Sequence, residues 1–324
     1  MSTLKQINKP ISSEMAEFEK YFKSALDTNI PLLRIIIDFL YRRKGKQLRP
    51  MLVFLSAKLL GEINQSTYTA ASMIELLHTA TLVHDDVVDE AYERRGFFSI
   101  NALWKSKVAV LVGDYILSKG LLLSVKNKEY DLLEIMSEAV KEMSEGELYQ
   151  IEKARKLDIT EDDYFEIIRK KTASLIASCT ANGAKSVKAS EESIADLKQF
   201  GEYLGIAFQI RDDLFDYSNS KKIGKPTGND IKEKKMTLPL IFTLNNIDHK
   251  SRRKVIKTIK RNNNNAQKVQ EIISLVKSTG GLEYSEQKMN DYKVKALNIL
   301  EKYPNNEAKE SLKILVEYAT TRKK

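Results

Sequence analysis

Residues Leu82–Gly96 read LVHDDVVDEAYERRG, and the other parts of the chain take their meaning from this stretch. It holds Asp85, Asp86 and Asp89, followed by Arg94 and Arg95. On a helix, positions i and i+4 lie one turn apart on one face, so Asp85 and Asp89 point the same way, with Asp86 about 100° round. Two carboxylates stacked like this repel each other unless a cation sits between them. Hard oxygen donors at this spacing suit Mg2+, which keeps several waters and takes one or two carboxylates plus phosphate oxygens. The two arginines are planar, bidentate partners for such oxygens. An isolated acidic cluster usually marks a solvated face. Here the flanks Leu82–Val83 and Val87–Val88 are apolar, so the acids belong to a half-buried helix and need compensation.

The pattern recurs. Residues Gly205–Tyr217 read GIAFQIRDDLFDY and carry Asp212, Asp213 and Asp216. Gln209, Asp212 and Asp216 follow at +3 and +4 along one helical stripe. Two acidic helices with apolar flanks are far harder to dismiss than one.

Composition points to helices. The 324 residues are 42% hydrophobic and 30% charged, with only 13 Gly and 6 Pro to interrupt them. Helical periodicity is expected over 12–27, 32–43, 50–60, 66–91, 101–124, 129–153, 161–182, 191–217, 237–246, 249–261, 266–279, 282–302 and 305–321. No alternating strand and no Gly/Ser/Pro linker is apparent, so residues 1–324 read as one all-α domain. The formal charge is 53 − 44 = +9. Beside acid-rich motifs, that suits a polyanionic substrate; nucleic acid is the rival reading. The single Cys179 excludes an intrachain disulfide and fits a reducing compartment, so a cytoplasmic location is expected. The start MSTLKQINKP has no apolar signal core, and no unbroken apolar run reaches a membrane span.

Three further groups have plain structural readings that must be weighed. His78 shares a stripe with Asp85 and Asp89, which turns a helical histidine toward phosphate donation rather than simple packing. His84 stands six residues from His78, the wrong spacing for a zinc pair. Ser218–Lys235 is a basic loop with Lys225 and Lys235, long enough to be a lid rather than a solvated connection. Lys46 and Arg49 precede and enter a helix start at Pro50, where anions are favoured. Alone, that last group would be an ordinary charged turn.

Together these pieces resemble a trans-isoprenyl diphosphate synthase. GKQLRP at 45–50 resembles the GKxxRP element. HDDVVDEAYERRG at 84–96 resembles the first aspartate-rich region, and Lys171–Thr172 the lysine–threonine pair. FQIRDDLFD at 208–216 resembles the second aspartate-rich region, followed by Gly224–Lys225 and EKKMTLPL at 233–240. The resemblance implies a helical bundle of the isoprenoid synthase type around a central cavity, and ionisation, condensation and elimination as the reaction. It implies Mg2+, three ions per site with Mn2+ as a substitute. Asp85, Asp89 and Asp212 would be metal ligands, with Asp86, Asp213 and Asp216 as supporting or alternate ligands. Arg94, Lys171, Thr172, Gln209, Lys225 and Lys235 would face the allylic diphosphate. Lys235 rather than Lys234 is chosen because it keeps the spacing to Thr237 and Pro239. Lys46, Arg49, His78 and Arg95 would hold isopentenyl diphosphate. A homodimer is implied, to which the sequence adds only the apolar runs near Val108–Val112 and Leu121–Leu123.

Product length is read below the first motif. Leu77, Ala80 and Thr81 lie one and two turns beneath Asp85. Family members with short products resemble one another in a bulky aromatic at the fourth or fifth position before the motif. Ala80 and Thr81 are small, so a long all-trans product of the quinone side-chain type is expected over close helix packing alone. The alternatives are a farnesyl or geranylgeranyl diphosphate synthase, a class I terpene cyclase and a regulatory subunit of a heteromeric synthase. A cyclase has no need of Lys46, Arg49 and Arg95, and regulatory subunits tend to lose the aspartates kept here. Nucleic-acid binding leaves the six motif aspartates unexplained, so no nucleic-acid partner is expected, and membrane contact is at most peripheral.

Overall fold

The computed structural model describes residues 3–42, 45–94, 97–217 and 228–321. Its described elements are helical apart from one two-stranded antiparallel ribbon, in which Glu93 pairs Phe98 and Arg94 pairs Phe97. The all-α expectation holds. The predicted helices appear with ends shifted by up to four residues, and a helix at Thr3–Asn8 was not foreseen.

The described residues pack into two compact units. The first comprises residues 1–138, 178–198 and 304–312. At its centre runs Leu48–Leu60, whose residues Pro50–Ala57 are all buried. A helix apolar on every side has to be enclosed. Phe18 of the helix Ser12–Ala25 meets Phe54 edge-on at 5.8 Å. Residues 178–186 pass so close that a Cβ on Gly183 would lie 2.4 Å from the Val53 carbonyl oxygen. Glycine is required there by contact, not by backbone angle.

The acidic helix Gln65–Val88 packs along Ile100–Lys126. Asn64 and Thr67 begin it with a reciprocal capping box. Gly113 lets the His84 ring lie against the neighbouring helix, where Nε2 is 3.3 Å from both the Val110 carbonyl oxygen and the Asp114 carboxylate. His84 is thus engaged in packing. Ile100–Lys126 departs from two expectations. Lys105 takes φ 69° and kinks it. By length and composition it also qualifies to cross a membrane, although no apolar run is unbroken, because the average over a window tolerates scattered charges. Only 33% of that apolar window is buried.

The second unit comprises residues 139–177, 199–303 and 313–324. Its core joins Tyr164, Ile167 and Ile168 to Ile206, Ile210 and Tyr217, and these to Leu238, Ile241, Ile259 and Ile273. The expected helix 161–182 is interrupted. Arg169–Ala173 form a π turn between Glu161–Ile168 and Ser174–Ser186. Two glycines on neighbouring helices explain how it is accommodated. A Cβ on Gly146 would lie 2.8 Å from Lys170 Cβ, and one on Gly205 would lie 2.5 Å from Ala173 Cα.

Gly183→Ala is expected to destabilise the chain by about 1–3 kcal/mol, the usual cost of overpacking. Urea unfolding of the two proteins measures it. An unchanged midpoint would contradict the close approach to Val53.

Candidate active site

The first acidic region lies in the first unit. Asp85 sits in the last turn of Gln65–Val88, and Asp89 is its C-terminal cap, its amide donating to the Asp85 carbonyl at 2.8 Å. The helix ends three residues earlier than expected, yet the one-turn spacing survives. Both side chains are exposed, whereas Asp86 is 5% exposed on the inner face. Asn101 donates to the Asp86 carbonyl oxygen at 3.3 Å, tying the helix end to the start of Ile100–Lys126. Leu77 and Ala80 are buried, Thr81 and His78 half-buried. Lys46 is exposed and Arg49 half-buried, at the start of Leu48–Leu60. Arg94 is placed by its backbone in the ribbon. Arg95 lies outside the described residues.

The second acidic region lies in the second unit, where more of the site can be traced atom by atom. Thr160 and Asp163 cap the helix Glu161–Ile168 reciprocally. Burial opposes the Asp163 charge. Hydrogen bonds from Tyr149, from the Thr160 amide and hydroxyl and from Lys153 outweigh it and hold the carboxyl well below its ordinary range. This fixed start turns Tyr164 inward. The Tyr164 hydroxyl donates to Asp213 Oδ2 at 2.7 Å, and Gln209 Nε2 donates to Asp213 Oδ1 at 2.8 Å. The Thr172 hydroxyl in turn donates to Gln209 Oε1 at 2.9 Å. One chain of hydrogen bonds therefore joins Thr172, Gln209, Asp213 and Tyr164. Burial pushes the Tyr164 phenol well above its ordinary value, so it stays a donor.

Asp216 has a different task. Its carboxylate accepts the amides of Asn229 at 2.9 Å and Asp230 at 3.0 Å. It thereby anchors the turn Asn229–Lys232, a short helix inside what reads as an irregular loop. Residues 218–227 of that loop, with Lys225, lie outside the described residues. Past the turn, Lys235 lines a cavity of about 160 Å³ with Lys171, Thr172, Gln209, Asp213 and Asp230. Lys234 is exposed with φ 59°. Lys171 pairs with Glu147, and Gln150 accepts from it at 3.4 Å. It belongs to the π turn, a distortion frequently found at functional sites.

Carboxylates crowd this unit, and the charge of Lys235 offsets part of their repulsion. Burial pushes the Asp213 carboxyl up; the Tyr164 and Gln209 donors pull it back, and the charge of Asp212 adds to the rise. Burial, then the charges of Asp213 and Asp216, push Asp230 up as well. Among the described residues, no three His, Cys, Asp or Glu side chains converge as a ready metal cage. Mg2+ does not require one, since it takes few carboxylates and fills its shell with water and phosphate oxygen. The exposed pair Asp85 and Asp89 and the crowded acids around Asp212 are donors of the right kind.

The chain matches the Polyprenyl synthetase family over residues 30–276. It belongs to that family. It is 32% identical over 320 residues to the octaprenyl diphosphate synthase of Escherichia coli (strain K12), covering 98% of this chain and 99% of that protein. It is 33% identical over 315 residues to a short chain isoprenyl diphosphate synthase of Methanothermobacter thermautotrophicus, covering 96% of each. Among solved structures, a polyprenyl synthase from Caulobacter crescentus CB15, complexed with calcium and isoprenyl diphosphate, superimposes with a TM-score of 0.92 at 30% identity, over 99% of this chain and 98% of that one. This member of the polyprenyl synthetase family is therefore a prenyltransferase with the all-α isoprenoid synthase fold, and its reaction needs a divalent metal.

Two residues of this synthase escaped the sequence reading. Tyr164 stands among other aromatics with nothing local to mark its partner. Asp230 sits in a loop segment where lysines dominate the pattern. The one available signal for the π turn was a pair of glycines, Gly146 and Gly205, inside otherwise helical stretches.

Tyr164→Phe keeps the ring and removes the donor to Asp213. We expect kcat to fall about tenfold, about 1.4 kcal/mol of barrier, with thermal stability lowered only modestly. Unchanged kcat would remove Tyr164 from the site. A second expectation concerns pH. The raised carboxyls of Asp213 and Asp230 keep protons in the folded chain that the unfolded chain has released. By linkage, the metal-free protein loses stability as pH rises from the ordinary carboxylate range to neutrality. Its Tm should be lower at pH 8 than at pH 5.5, and Asp230→Asn should flatten the difference. A Tm that climbs over this interval in both proteins would contradict it.

Proposed function

We propose that the chain condenses isopentenyl diphosphate units onto an allylic diphosphate such as farnesyl diphosphate, giving a long all-trans polyprenyl diphosphate for quinone side chains. The observation that carries the length is the small Ala80, buried beneath Asp85 on the acidic helix, with Thr81 beside it. Relatives of similar identity carry both octaprenyl and short-chain names, so identity alone does not choose between products. The small side chains under the motif support the long product.

The divalent ion, which we take to be Mg2+ at three positions with Mn2+ as substitute, supplies the charge that makes diphosphate a leaving group. Asp85, Asp89 and Asp212 would hold it. Asp86, Asp213 and Asp216 are kept as supporting or alternate ligands; Asp213 and Asp216 already accept donors from the protein, which suits support. Arg94, Lys171, Thr172, Gln209, Lys225 and Lys235 would orient the allylic diphosphate, and Lys46, Arg49, His78 and Arg95 the isopentenyl diphosphate. Preorganised donors of this kind act where charge develops and are usually the largest catalytic term. The released diphosphate, oriented by these residues, would be the acceptor of the proton lost in the elimination.

We read the two compact units as parts of one synthase domain. The exposed Leu111 and Leu122 on Ile100–Lys126, with the other apolar residues of that helix, support a homodimer. Cys179, a buried thiol pushed up to about 12 by desolvation, is an inert core residue and is compatible with cytoplasmic placement.

Ala80→Phe should shorten the product by several isoprene units at little cost in turnover of the first condensation, as read by chromatography of dephosphorylated products. An unchanged product would remove Ala80 from the path of the growing chain. Asp89→Asn should reduce kcat by at least a hundredfold and raise the magnesium concentration for half activity. Wild-type magnesium dependence would exclude Asp89 as a ligand.

A further inference from the structure

The helix His249–Arg261 reads HKSRRKVIKTIKR. Seven of its 13 residues are Lys or Arg and none is Asp or Glu. Val255 and Ile259 are buried and Ile256 packs on the same core, so the apolar side is used within the second unit. Lys250, Arg253, Lys254, Lys257, Lys260 and Arg261 are exposed, and Arg252 is half-buried. Among the described residues, no ion pair or side-chain hydrogen bond engages any of the seven. The nearest acid in sequence, Asp248, is occupied as the helix cap, accepting the amides of Lys250 and Ser251.

This arrangement works against its own helix. Lys250 and Arg252 stand in the first turn, where the helix dipole favours anions. Lys250 and Lys254, Arg253 and Lys257, and Lys257 and Arg261 are like charges at i,i+4, which repel. Only Lys260 and Arg261, in the last turn, suit the helix dipole; the rest of the strip serves nothing within the fold, whereas an extended polyanion outside it would gain from all of it.

We infer that this helix docks the enzyme onto an anionic bilayer surface. The cations cover an outward strip alongside a buried stripe, so contact is electrostatic and peripheral, without insertion. The helix carries no Phe, Tyr or Trp on which bases could stack, which disfavours single-stranded nucleic acid. The choice of a bilayer rests on the proposed long-chain product, whose hydrocarbon tail partitions into lipid. Attraction between basic segments and anionic headgroups decays within a Debye length, about 8 Å at physiological salt, so it is salt-sensitive.

The test is sedimentation of the full chain with vesicles, without substrate. Vesicles are of phosphatidylcholine alone or with one-third phosphatidylglycerol. Binding is expected only to the anionic vesicles and should weaken at least tenfold between 0.1 and 0.5 M salt. The variant Lys250→Gln/Arg253→Gln/Lys254→Gln/Lys257→Gln should bind at least tenfold more weakly, with unchanged Tm and unchanged turnover of short, soluble substrates. A control losing the same net charge at exposed Lys5, Lys20, Lys126 and Lys128 should bind as the wild type does. Absence of binding to anionic vesicles, equal binding to neutral ones, equal losses in both variants, or binding to duplex DNA but not vesicles would overturn the proposal. Because no product is formed in this assay, its failure is separate from failure of the product-length reading.

Discussion

A carboxylate withdrawn from water among other carboxylates is tolerated only when donors or cations share its charge. Asp213 is in that position. Tyr164 and Gln209 take one oxygen each, and Gln209 is itself held by Thr172. That chain of contacts sets the orientation of the second acidic helix relative to the π turn carrying Lys171 and Thr172. The remaining repulsion, of Asp212 on Asp213 and of Asp213 and Asp216 on Asp230, is offset in part by the charge of Lys235. Stability and chemistry are opposed here, as expected where a site must receive charge rather than hide it.

The π turn shows how packing serves the same end. An ordinary helix through 161–182 would place Lys171 and Thr172 in a different rotational phase. The extra residue fits because Gly146 and Gly205 leave room on both neighbours. The turn is pinned by Arg169, which pairs with Glu142 at 3.0 Å and Glu166 at 2.9 Å, and by Lys170, which pairs with Glu145 at 2.9 Å. These pairs are half-exposed and individually weak. As a network around one turn they resist its rotation.

The first acidic region obeys simpler rules. It ends a helix, leaves Asp85 and Asp89 in solvent and buries Asp86. In the function we propose, the small residues one turn below, Ala80 and Thr81, would tie product length to helix phase, so one periodicity would space both the acids and the wall beneath them. The contrast with the second region is instructive. There the carboxylates differ in role because each meets a different partner: Asp213 a phenol and an amide, Asp216 two backbone amides.

Periodicity and composition alone determined the all-helical class, most helix positions and the two acid-bearing helices, because hydrophobic spacing at 3.6 residues is a local property. Motif order singled out Lys171, Thr172, Gln209 and Lys235, and all four line the second-unit cavity. Tertiary structure decided what depends on neighbours distant in the chain. Tyr164 meets Asp213 across 49 positions, and no local pattern encodes that pairing. The π turn arises from glycines on two other helices. Asp216 became the anchor of Asn229–Lys232 because the chain turns back on it. Such features are set by packing and desolvation, which act on whichever groups the fold brings together rather than on their order along the chain.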